Sequence, residues 1–200
     1  MPFSLKEFRA IQKFCNEKKH PENPWALVFL ILRFLGSGEG ALSAVQESWL
    51  RGFPEPLNEK EKTDISELIL ELTDSLLESL RNWRDTAEEE GSEGVMEEIL
   101  QLGESVLMET KEMGEFSTIV REESLEILED LCETCGVEIP KAGYKKIDLV
   151  KFEDSEIAEE AEEWILALTD FDKAEEASEL ESGILVLFSK VFLFYTFFAN

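Results

Sequence analysis

The chain has 200 residues, 44% of them hydrophobic, and its 19 basic and 45 acidic side chains give a formal net charge of −26 at pH 7. That length and apolar content support one sizeable domain with a core and exclude a chain disordered throughout. The charge repels nucleic acid and anionic lipid, so it argues against direct binding of either and in favour of a basic partner.

The charge is uneven: residues 1–53 carry 7 bases against 5 acids, and residues 54–200 carry 12 against 40. A near-neutral first quarter and 14 Phe argue against acidity as a uniform adaptation to high salt. Residues 1–13 scatter Lys6, Glu7, Arg9 and Lys13 where a secretory leader would place an apolar run. With only three cysteines, this predicts a reducing intracellular compartment, the cytoplasm.

Nearly every segment has helical periodicity. Residues 5–18 set Leu5, Phe8, Ile11 and Cys15 on one face, with Phe14 beside it. A break follows at residues 20–24, where Asn23 reads as an N-cap and Pro24 as the first helical residue. Residues 25–35, WALVFLILRFL, are apolar all round except at Arg33, the pattern of a central helix. The glycine-rich turn 36–40 leads to a short helix over residues 41–51. Pro54 and Pro56 punctuate the chain where its charge changes sign, so a single domain over residues 1–200 is expected, with a sub-boundary near 53–57.

Asn58 with Glu61 predicts a capping box. Residues 64–83 then give the cleanest stripe, through Ile65, Leu68, Ile69, Leu72, Leu76, Leu80 and Trp83. Residues 88–94, EEEGSEG, read as a solvated loop. Helices are expected over residues 95–112 (Val95, Ile99, Leu102, Val106) and 118–134 (Leu125, Leu128, Leu131), the latter closed by Gly136. Residues 137–150, with Pro140 and Gly143, suggest an irregular segment or short hairpin, and residues 156–168 an amphipathic helix with Trp164 inside. The block 184–199 is shorter than the roughly 20 apolar residues of a membrane span. It also carries Lys190 at its middle, at a membrane cost of ~2.5–3.5 kcal/mol. A core helix with Lys190 turned to solvent is expected. A tail anchor and a homo-oligomer interface are the alternatives. The fold class is therefore all-α, a compact bundle of seven to eight helices.

Little here supplies catalysis. His20 is the only histidine, which leaves carboxylate–histidine metal helices and Ser-His or Cys-His nucleophiles without material. Gly36, Gly38 and Gly40 lack the Lys-Ser/Thr of a phosphate loop, and no calcium-loop pattern occurs. Cys132 and Cys135 have redox spacing, but they close a helix among Glu129, Asp130 and Glu133, where dipole and charge oppose thiolate formation. Cys15, His20, Cys132 and Cys135 make the one Cys₃His zinc set available. It requires the first helix to lie beside the end of the sixth, and the cysteines read instead as structural, with no metal or cofactor.

Val95, Ile99, Leu102, Gly103, Glu104 and Val106 resemble the death motif of the B-cell-lymphoma family of apoptosis regulators, in which four apolar anchors surround a Gly followed by an acid. The family has Asp where this chain has Glu104. Its Asn-Trp-Gly-Arg segment follows the motif, whereas Asn82-Trp83-Arg84 precedes it here and lacks the Gly. The resemblance implies a bundle of seven or eight helices, a groove for partner helices and a membrane-anchoring tail.

The reading that composition and pattern favour is a non-enzymatic, acidic helical protein that binds a basic protein, as a nucleic-acid mimic, inhibitor or adaptor. Carboxylate rows over residues 67–78, 97–112, 122–133 and 153–181 would stand in for phosphates, and Glu159, Glu160, Glu162, Glu163, Glu175 and Glu176 are the candidate contact residues. The alternatives are the tail-anchored or groove-binding regulator just described and an acidic structural or assembly subunit, including a homo-oligomer, whose charge serves solubility.

Overall fold

A computed structural model describes residue 3 and residues 5–198; Met1, Pro2, Ser4 and Asn200 lie outside the described residues, as does Ala199, the last residue of the apolar block. The described chain is all-helical, 79% helix, with no strand. Eight α-helices follow in order: α1 (Leu5–Glu17), α2 (Pro24–Ser37), α3 (Leu42–Arg51), α4 (Glu59–Glu90), α5 (Ser92–Glu109), α6 (Met113–Thr134), α7 (Ser155–Lys173) and α8 (Ala177–Phe197). They divide into two compact units, Met1–Leu102 with Phe192–Asn200, and Gly103–Val191. The Pro54–Pro56 punctuation falls inside the first.

In the first unit α1 packs on α2 and α4, and α3 on α2 and α4. Asn23 accepts the Trp25 backbone N–H at 3.0 Å and opens α2 with Pro24 in the first turn. Trp25, Leu27, Val28, Phe29, Ile31 and Leu32 of α2 are all buried, which is where a helix apolar on every side belongs. Phe8 of α1 meets Trp25 with ring centroids 4.5 Å apart. The capping box forms: Asn58 Oδ1 accepts from Glu61 N at 2.9 Å and Glu61 Oε2 from Asn58 N at 3.0 Å. From it α4 runs 32 residues, roughly 48 Å.

The expected loop at residues 88–94 does not occur. Glu is a good helix former, so Glu88–Glu90 extend α4, and the chain breaks at Gly91 alone, whose φ of +89° favours glycine. The last turn of α8 also belongs to this unit. Phe192 meets Trp83 edge-on at 6.0 Å, and Arg84 Nε donates to the Thr196 carbonyl at 2.5 Å. A guanidinium at the carbonyl end of a helix satisfies acceptors that have no intrahelical donor.

In the second unit α6 packs along α7. Phe116, Val120, Ile127 and Leu128 of α6, Ala161, Trp164 and Leu168 of α7, and Ile184, Leu187 and Phe188 of α8 are buried. Gly103 permits a close approach: a Cβ there would lie 2.6 Å from Leu185 and 3.2 Å from Phe188. Gly136, at φ +65°, closes α6 in a Schellman motif, with Val137 N donating to Cys132 O at 2.8 Å and Gly136 N to Glu133 O at 3.0 Å.

Residues 137–152 form an irregular segment with two 3₁₀ turns, Tyr144–Lys146 and Leu149–Lys151. No hairpin pairs there. Buried Val137, Tyr144, Ile147 and Phe152 pin the segment, and the Tyr144 hydroxyl donates to Asp172 at 2.7 Å while Arg121 clamps the same carboxylate at 2.8 and 3.1 Å. Lys190 is not simply turned to solvent. Its side chain is 18% exposed, its Nζ bonds Glu163 at 3.3 Å, and it sits 4.9 Å from the Trp164 ring centroid.

Candidate functional site

The acidic surface is built by the helical repeat. In α7 the inward positions Ala161, Trp164 and Leu168 are buried, which turns Glu159, Glu162, Glu163, Leu166, Asp170 and Lys173 outward as one exposed stripe. Asp154 caps the helix, its Oδ1 accepting from Glu156 N at 2.9 Å and Ile157 N at 3.2 Å. An acid-rich first turn complements the positive end of the helix dipole.

Three of the six candidate glutamates, Glu159, Glu162 and Glu163, share this stripe. Glu160 does not: it is half-buried at the side of α7, and burial pushes its carboxyl up, with Lys190 pulling the other way and Glu163 adding to the rise. Glu175 and Glu176 stand exposed in the turn before α8, where their backbone N–H groups donate to Glu179 Oε2 at 3.1 and 3.4 Å. They lie 12 and 13 residues beyond Glu163, at the far end of the α7–α8 hairpin.

Two further carboxylate stripes are exposed. On α4 they are Glu67, Glu71, Asp74 and Glu78; on α6 they are Glu122, Glu126, Glu129, Asp130 and Glu133. Glu123 interrupts the α6 series, being 1% exposed. Within Gly103–Val191 there are 25 acids against 8 bases, so this unit carries −17 of the total −26.

No family model, curated protein or solved structure matches the chain.

The residues of the candidate zinc set are shared between the two units. Cys15 and His20 belong to the first unit and Cys132 and Cys135 to the second, and among the described residues no group of three or more His, Cys, Asp or Glu is placed to hold a metal ion. His20 follows Lys19, whose φ of +56° ends α1. Its ring stacks on Trp49 at 4.0 Å and meets Phe53 edge-on at 4.6 Å. The Glu22 N–H donates to Nδ1 at 3.1 Å, and Nε2 lies 3.1 Å from the Trp49 carbonyl, which can only accept. Both ring nitrogens are thus engaged, Nδ1 as an acceptor and Nε2 placed to donate. Gly52 makes room for it, since a Cβ there would come within 2.4 Å of Nε2.

Burial pushes the Cys15 thiol up to about 11, against an opposing pull from the Trp49 indole. The Cys132 thiol is raised by burial first, then by Cys135 and Glu129. In both, burial works against formation of the reactive thiolate. The four apolar positions of the motif around Gly103, namely Val95, Ile99, Leu102 and Val106, are buried.

Sequence reasoning missed one feature. A groove of about 520 Å³ opens between α7 and α8, lined among others by Ala167, Asp170, Ala174, Ser182, Gly183 and Val186. Its only sequence signal was the small residues at Ala167, Ala174 and Gly183, which carry no meaning until two helices are laid side by side.

Proposed function

We propose that this protein works without catalysis, by presenting the acidic helical surface of residues 103–191 to a basic protein. One observation carries the reading: exposed carboxylates are spaced along helices at a density nucleic-acid-binding proteins are built to meet. Glu122, Glu126, Glu129, Asp130 and Glu133 span 12 residues of α6. At ~1.5 Å rise per residue that is one charge per ~3–4 Å, comparable with the ~3.4 Å per charge of one DNA strand. The α7 stripe adds a second row in the same unit. The protein would therefore compete with nucleic acid for a basic groove, as an inhibitor or adaptor.

Such attraction is long-ranged and screened, and it acts mainly on the association rate. The partner recovered from the native host should bind strongly at ~0.1 M salt, where the Debye length is ~10 Å, and weakly at ~1 M, where it is ~3 Å. Replacing Glu159, Glu162, Glu175 and Glu176 by Gln should slow association and leave dissociation nearly unchanged. A partner held equally well at both salt concentrations would refute the reading.

A second reading, a membrane-anchored regulator, is favoured by one observation: α8 is long and apolar enough to cross a membrane by length and composition. Against it, Ile184, Leu187, Phe188, Val191 and Phe192 are already buried in protein.

A further inference from the structure

The α7–α8 hairpin leaves a trench on its outer side. The two helices run antiparallel: a Cβ at position 183 would lie 3.2 Å from Phe171, and Glu163 and Trp164 meet Lys190. The trench walls include Ala167, Asp170 and Lys173 on α7, Ala174 just past its end, and Glu179, Gly183 and Val186 on α8. These positions recur at three and four residues, so the trench is straight and about two helical turns long, roughly 10 Å. The Lys190–Glu163 bridge marks one end and the exposed Glu175–Glu176 turn the other.

Its lining is apolar at Ala167, Ala174, Gly183 and Val186, the last 46% exposed, and polar or charged at Asp170, Lys173, Ser178 and Glu179. Around it the exposed charges are mostly negative, with Glu162, Asp170, Glu175, Glu179 and Glu181 against Lys173. An open trench of this kind does not enclose a small molecule as a ligand pocket does. It offers no free backbone edge to an extended peptide, whereas a helix brings its own hydrogen bonds. A second copy of this chain, at −26, is repelled.

We infer that the α7–α8 trench receives a short amphipathic helix from a basic protein, its apolar side chains seated between Ala167 and Val186 and its Lys or Arg side chains directed at the surrounding carboxylates. This rests on the reading that the partner is a basic protein, and it adds the place and the shape that the partner must present.

The test uses the full chain and two fluorescent synthetic peptides of about four helical turns, identical in composition. One places Leu and Ala at i, i+3, i+4 and i+7 with Lys elsewhere; the other is scrambled to remove that stripe. Binding is read by anisotropy at near-physiological salt. The patterned peptide should bind at least ~10-fold tighter than the scrambled one, and Val186→Glu should weaken it ~10-fold or more, the size of effect a central contact residue has. That substitution adds a negative charge, so attraction by charge alone predicts tighter binding. Ser182→Trp, which fills the trench without changing charge, should weaken it too, and melting curves establish that both variants are folded.

Equal binding of the two peptides, or patterned binding untouched by either variant, overturns the trench as the site while leaving the acidic-surface reading standing. Failure of both peptides to bind even at low salt overturns the two together.

Discussion

Gly103 gives the sharpest check on the packing of residues 103–191. Replacing Gly by Ala inside a helix ordinarily stabilises by ~0.5–1 kcal/mol, because the unfolded chain loses freedom and the helix gains propensity. At Gly103 the new methyl would lie 2.6 Å from Leu185 and 3.2 Å from Phe188, inside van der Waals contact with both. Leu185 is half-buried and meets the methyl with its Cδ1 tip, which can turn aside, whereas Phe188 is buried and must give. Overpacking costs ~1–3 kcal/mol, so Gly103→Ala should lose its usual gain and come out about 0–2 kcal/mol less stable. Gly114 is the control. It lies in the first turn of α6, exposed, with nothing within 4 Å of its added Cβ. Gly114→Ala should be neutral or stabilise by ~0.5 kcal/mol. In a chain of this size 1 kcal/mol moves the melting temperature by ~2–4 °C, so Gly103→Ala should fall below Gly114→Ala, by up to several degrees, in thermal or urea unfolding. If Gly103→Ala proved as stable as Gly114→Ala, α5 and α8 would not meet at this glycine.

Leu72→Asp and Leu128→Asp each place a carboxylate at a fully buried position and should cost more than ~4 kcal/mol, seen as unfolding or aggregation in circular dichroism and light scattering; wild-type melting of both would refute the core. The Tyr144 hydroxyl is pushed from its ordinary 10.0 to about 12, by burial first and then by its bond to Asp172. The folded state therefore holds that proton more tightly than the unfolded state, and its share of stability is full below pH 10.0 and lost as pH rises to about 12. Tyr144→Phe should cost about 1–2 kcal/mol at neutral pH and flatten the alkaline melting curve, while an unchanged slope would show that Tyr144 does not titrate late. Deleting residues 184–200 removes six buried apolar side chains at ~1.5–3 kcal/mol each, comparable with the whole stability of a domain, and should leave an insoluble or unfolded chain. A truncated chain that melted like the wild type, with the intact protein sedimenting on lipid vesicles, would favour the anchored regulator.

Local signals were legible in the sequence because single residues carry them. Asn23 with Pro24, Asn58 with Glu61, and Gly136 each mark a helix end through their own backbone or side-chain chemistry, and each stands where that chemistry predicts. Element lengths were less legible where the apolar stripe stopped before the helix did. The stripe of α4 ends at Trp83, yet acids with good helix propensity carry it to Glu90. The polar opening of α8 from Ala177 was hidden in the same way. The placement of charge was least legible. Composition made every glutamate look alike, whereas the fold buries Glu123, half-buries Glu160 and ties Glu163 to a lysine 27 residues away. The trench has a similar origin, since its walls come from two helices whose register no local pattern encodes.

The capping of α8 by Arg84 has a consequence for the order of synthesis. Arg84 emerges from the ribosome with the rest of the first unit, but the carbonyls it serves, Tyr195 and Thr196, come 111 and 112 residues later. The whole of Gly103–Val191 is made in between. At ~5–20 residues per second the first unit waits roughly 5–20 s with Trp83 deprived of Phe192 and Arg84 of its carbonyls. During that interval the nascent chain carries an unfilled apolar seat on α4.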